Sequence, residues 1–182
     1  MIRPLRLLFA VLLFAVLVQA LLLCTTSRSV RSSKANRDFV LAAVQQNGDA
    51  LEYASVDLRA DREVVLAAVQ QDGDALEYAS AELRADREVV LAAVQHAQYY
   101  GRALEHASAE LQADREVVLA AVQQDGDALR YACAELQADR EVVLAAVQQN
   151  GRAFQFASAE LQADREVVLA YRDVMLAAVQ QD

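Results

Sequence analysis

The chain has 182 residues, 55% of them apolar, with a single proline and five glycines. Its 26 acidic residues outnumber 17 basic ones, for a net charge of −9, and this argues against a nucleic-acid binder, because phosphate contacts need a basic face. Two histidines and two cysteines offer neither a disulfide framework nor a set of metal ligands at the usual spacing.

Arg3 and Arg6 precede Leu7–Leu23, an apolar run interrupted only by Gln19. A basic start followed by an apolar stretch is the pattern of a secretory signal, and Val18-Gln19-Ala20 offers small residues for cleavage after Ala20. The same run, if retained, reads as a signal anchor at the short limit for spanning a bilayer; a buried core helix is a third reading. Residues 1–24 are therefore a signal peptide or signal anchor forming an N-terminal apolar helix. Arg28, Arg31, Lys34 and Arg37 balance Arg3 and Arg6, so flanking charge sets no orientation. Cys24 follows Leu21-Leu22-Leu23 and lacks the small preceding residue of a lipoprotein site. Residues 25–35 are rich in Ser, Thr and Arg without an acid, as in a flexible linker. The chain is expected in the secretory pathway, secreted or held by a single span; the alternative is a plastid or other organelle reached through a two-part address.

From Asn36 the chain repeats itself. The clearest copy is Asp61–Ala85, DREVVLAAVQQDGDALEYASAELRA. Asp61 suits an N-cap, and Glu63 suits the positive end of a helix dipole. Val65, Leu66, Ala68 and Val69 fall on one helical face. Gly73 is expected at a left-handed C′ position. Asp74 then caps a second helix, with Leu76, Ala79 and Leu83 on one face. One repeat thus predicts two antiparallel helices of about ten residues, each roughly 15 Å long. Strand is disfavoured, since period-2 alternation is missing. A lone repeat buries too little to offset its ordering entropy, so copies must stack.

Repeats start at residues 36, 61, 86, 114, 139 and 164. The third carries three extra residues between Val94 and Gly101, close to one helical turn, so its first helix is expected to lengthen. In the sixth, Tyr171–Leu176 echoes Asp164–Leu169 seven residues later; it reads as one long terminal helix capping the array. All five glycines share one column: Gly48, Gly73, Gly101, Gly126 and Gly151. The fold expected is all-α, a right-handed α-solenoid of about five to six 25-residue helix-turn-helix repeats over residues 36–182.

The DREVVLAAVQQDGDALEYASAEL string, with its charged caps, VLAAV run and glycine column, resembles a tandem repeat family known as domain of unknown function DUF4116. The likeness covers Asn36–Asp182. It implies an all-helical array, typical of algal and protist proteins, and brings no activity, cofactor or catalytic residue. The insertions at Ala97–Tyr100 and at Tyr171 depart from the family's regular spacing.

No catalytic constellation stands out, and no cofactor or enzymatic activity is expected. His96 and His106 sit on different predicted helices, and His106 replaces an aromatic, as a packed substitute. Cys133 replaces the Ser of Ser80 and Ser108, as a small neutral residue. Five basic residues precede the array, which leaves 12 basic against 26 acidic residues within it. Such a surface suits a basic peptide or solubility alone, and its Glu–Arg pairs are expected to be local and screened. The column Tyr53, Tyr78, His106, Tyr131 and Phe156 follows a core position by two. It either packs between repeats or forms a contact ladder for a partner, joined by Tyr99 and Tyr100 from the insertion. The function expected is non-enzymatic: a protein- or peptide-binding or scaffolding array, in the secretory pathway or at a membrane through Leu7–Leu23. The alternative is a structural spacer without a specific ligand.

Overall fold

The computed structural model describes residues 31–97 and 102–179, all helices and short connections, with no strand among them. The signal or anchor segment Leu7–Leu23, Cys24, Tyr99, Tyr100 and Gly101 lie outside the described residues. Among the described residues, no helix is long and apolar enough to cross a membrane. The chain divides into two units between Phe39 and Val40, and the described repeats from Val40 on belong to the second. The first helix spans Arg31–Val44, so Asn36 lies inside it and does not cap it.

Four interior first helices are ten residues long: Arg62–Gln71, Arg115–Gln124 and Arg140–Gln149 as expected, and Arg87–His96, where a longer one was expected. Each starts on its aspartate. Asp61 accepts from the amides of Glu63 and Val64 at 3.0 and 3.3 Å, and Asp86, Asp114 and Asp139 do the same in their repeats. The buried face is rotated from the expected one. Val64, Val65, Ala68 and Val69 are fully buried, while Leu66 and its counterparts Leu91, Leu119 and Leu144 are half-buried on the outer side.

The second helix of about ten residues is not formed. A 3-10 helix of six residues, Gly73–Tyr78, is followed by a single α-turn, Ala81–Arg84. Its cap is Asp72, which accepts from the Asp74 amide at 3.0 Å; Asp74 caps nothing here. The break lies at Ala79 and Ser80, both extended. The extended backbone turns the Ser80 amide out of the repeat, where it donates to the Arg59 carbonyl of the preceding one at 2.9 Å. Ser108 to Arg84, Cys133 to Gln112 and Ser158 to Gln137 repeat this bond at 2.8–3.0 Å. A continuous helix would keep that amide inside itself, so each repeat gives up a helical bond for one to its neighbour.

Repeats stack in two rows. First helices pack side by side along the chain, and the 3-10 helices pack side by side beneath them. Valines and alanines of the first row meet Leu51, Leu76, Leu104 and Leu129 of the second, all fully buried. The glycines belong to this packing and not to a left-handed turn. Asp72 before Gly73 is extended, at φ −148° and ψ 115°, and none of Gly48, Gly73, Gly126 and Gly151 has a left-handed φ. A Cβ on Gly73 would instead stand 2.1 Å from the Ala93 carbonyl oxygen of the next repeat.

The third repeat absorbs its insertion differently from expectation. Arg87–His96 keeps ten residues, because Ala97 takes the extended position that Asp72 holds in the second repeat. Ala97 also packs closely on Gly73, its Cα 2.8 Å from where a Cβ would sit. A four-residue α-turn, Ala103–His106, stands in for the 3-10 helix. The terminal helix is long, as expected, running unbroken over Arg165–Val179 and packing on Arg140–Gln149.

Candidate functional site

The array has two outer surfaces with repeating chemistry, and they are built differently. On the first-helix row, each DRE triplet links one repeat to the next. The Arg62 guanidinium meets Asp86 at 3.1 Å and also Glu88. Arg87 meets Asp114 and Glu116, Arg115 meets Asp139 and Glu141, and Arg140 meets Asp164 and Glu166. These pairs are 24 to 29 residues apart, not local as expected from sequence. Burial pushes the Asp86 carboxyl up, but Arg62 and the amides of Val89 and Glu88 outweigh it and hold it below the ordinary value. Asp114 and Asp139 are set the same way; for Asp164 the Val167 amide is the leading cause. One aspartate is thus both helix cap and inter-repeat acceptor.

Behind this ladder lies a groove. Between the first helix and Arg62–Gln71, a cavity of about 480 Å³ is lined by Leu41, Gln45, Arg62, Glu63, Leu66, Ala67 and Gln70. Half-buried leucines and exposed glutamines floor and rim it. The same residue types recur at Leu91, Leu119 and Leu144 beside Gln95, Gln123 and Gln148. Sequence reading assigned Leu66 to the core and so passed over this groove. The available signal was the arginine-to-acid spacing, which brackets the repeat period.

On the 3-10 row sits the aromatic column. Tyr78, Tyr131 and Phe156 are half-buried against the core. Tyr78 lies near Glu52, Asp49 and Tyr53 of the preceding repeat, and the Tyr131 hydroxyl donates to Glu105 of the repeat before it. The Arg130 guanidinium covers the Tyr131 ring at 4.5 Å. His106 is half-buried, with Nε2 3.9 Å from Glu77 of the second repeat. Tyr78, His106 and Tyr131 thus reach the repeat before them. Tyr53, with no described repeat before it, is 64% exposed. Acids gather around this end. Burial first, then Asp72 and other acids, push Asp49 and Asp74 above the ordinary carboxylate value, and burial with Asp125 does so for Asp127.

His96 is exposed at the end of its helix, and Cys133 is half-buried with a free thiol. Among the described residues, no three His, Cys, Asp or Glu side chains are placed to hold a metal ion. What the geometry defines is a helical tandem repeat protein, in which the described copies close on their neighbours through arginine, amide and glycine contacts, all three of them at the joints after the second and fourth repeats. The chain belongs to the DUF4116 family, a domain of unknown function, whose model matches residues 36–84, 61–98, 86–137 and 139–182. The family match points to no enzyme class. No curated protein and no solved structure matches the chain.

Proposed function

We propose that the array is a non-enzymatic scaffold that holds an extended basic peptide segment along its first-helix row. The observation that carries this reading is the groove at Leu41, Leu66 and Gln70. Apolar floors with amide rims suit an extended chain, since Gln side chains can pair with its backbone and the leucines can take alternate side chains. The 12 basic against 26 acidic residues after position 35 favour a cationic partner. The stack is read as a right-handed α-solenoid, and the exposed Tyr53 as a separate contact on the 3-10 row. Leu7–Leu23 would bring the array into the secretory pathway or hold it at a membrane, with a plastid route as the alternative.

The test is binding of a lysine- and arginine-containing peptide library to the full chain, read by fluorescence anisotropy. Saturable binding that weakens at least tenfold in Leu66→Glu supports the reading. Binding unchanged by that substitution, or absent at low salt, refutes it. A spacer is the second reading, favoured by the ladder, which already occupies Arg62, Arg87, Arg115 and Arg140 between repeats.

A further inference from the structure

The terminal helix has one face packed and one face open. Val167 is fully buried, Tyr171 stacks on Phe154 with ring centroids 4.7 Å apart, and Val174 lies against Gly151. The other side carries Val168, Leu169 and Leu176, exposed by 39, 37 and 52%, with Met175 at its edge, 42% exposed and reaching back to Gly151. In the four preceding repeats, Val65, Val90, Val118 and Val143, which match Val168, are fully buried. At Val168 the open face continues the closed joints, and at Leu169 it continues the half-buried outer leucine column.

A seventh repeat of the same kind does not fit there. Arg172 stands where Val69, Val94, Val122 and Val147 are buried, and stacking a standard repeat on it would strand a guanidinium among apolar groups. Its side chain is 64% exposed, beside Asp173 at 69%. Arg165, Leu169, Arg172 and Leu176 fall at alternating spacings of four and three, one helical seam. If two such seams run antiparallel about an axis between residues 172 and 173, Leu169 faces the partner's Leu176. Asp173, which flanks the seam, then lies level with the partner's Arg172. Each contact is made twice, as a two-fold interface requires.

We infer that this face pairs two copies of the chain through antiparallel terminal helices. A 15-residue helix is about 22 Å long, and one face of it buries less than the roughly 800 Å² per partner of a standard interface. The dimer is accordingly weak, forming at micromolar concentration. Sedimentation of the full chain over a hundredfold range around that concentration should show monomer and dimer. Leu176→Glu and Arg172→Asp should each weaken the dimer at least tenfold with the helical circular dichroism unchanged. The charge swap Arg172→Asp with Asp173→Arg should restore it, because the antiparallel pairing is preserved. A monomer at every concentration, association beyond the dimer, association that survives Leu176→Glu, or a swap that does not restore pairing each overturns the inference.

Discussion

A methyl group at Gly73 would have to displace the backbone of Ala93 and Ala97, whose atoms lie 2.1 to 2.8 Å from the added carbon. At Gly151 the nearest atom is the Met175 Sδ at 3.1 Å, the end of a flexible side chain. The same residue in the same column thus answers to different neighbours. Gly73→Ala is expected to destabilise by about 1–3 kcal/mol, the usual cost of overpacking. Gly151→Ala should be near neutral, since its small steric cost is offset by the roughly 0.4–1 kcal/mol gained from a less flexible unfolded chain. Gly73→Asn separates this account from a left-handed turn. Asn tolerates the left-handed region and would be milder than Ala if conformation mattered, but here it should be at least as damaging. Urea unfolding of the three variants decides the order. The glycine column was visible in the sequence; its cause was not, because the clashing carbonyl belongs to a residue 20 positions away.

At the scale of the helix, what the sequence made plain was whatever depends on a repeat's own residues. Asp61, Asp86, Asp114 and Asp139 cap where expected, because the amides they accept from are two and three residues ahead. The second half of the repeat was misread because its shape is set from outside. Nothing in ALEYASAELR forbids a continuous helix; the carbonyl of the preceding repeat draws the Ser80 or Cys133 amide away. The Leu66 column was misassigned for the same reason, since which side of the helix is covered depends on neighbours. Cys133 isolates the stitch, having no side-chain cap bond and φ −63°, ψ 161°, angles a proline adopts without strain. Cys133→Pro removes the amide and leaves the Gln112 carbonyl without its donor. A loss of about 1–3 kcal/mol is expected from that orphaned group, partly masked by the stiffer unfolded chain. Were thermal unfolding of Cys133→Pro to match or exceed the parent, the inter-repeat amide bond would not be holding the joint.

For the whole array, joints repeat and so do their charges, which gives the molecule a pH response made of two opposing parts. Asp86, Asp114, Asp139 and Asp164 on the first-helix row lie below the ordinary carboxylate value. A lowered folded value means stability that is present above the unfolded value and lost as pH falls through the folded one. Asp49, Asp74 and Asp127 on the 3-10 row lie above the ordinary value. Ionised, they oppose folding, and that opposition is removed as pH falls through their raised folded values toward the unfolded one. The two windows do not overlap, because one set titrates above the ordinary aspartate value and the other below it. Descending from neutral pH, Tm should first rise and then fall, as Glu82, Glu105 and Glu135, also held below their ordinary value, and then the ladder carboxylates take up protons. Asp49→Asn with Asp74→Asn should flatten the rise by raising Tm at neutral pH, and should leave the acid fall in place. Added salt should act on the ladder side, whose pairs are partly exposed and screened. A thermal scan series by circular dichroism reads all of this. A Tm that only declines from neutral pH downward would mean that the acids of the 3-10 row do not oppose the fold, and that the order of the two windows is wrong.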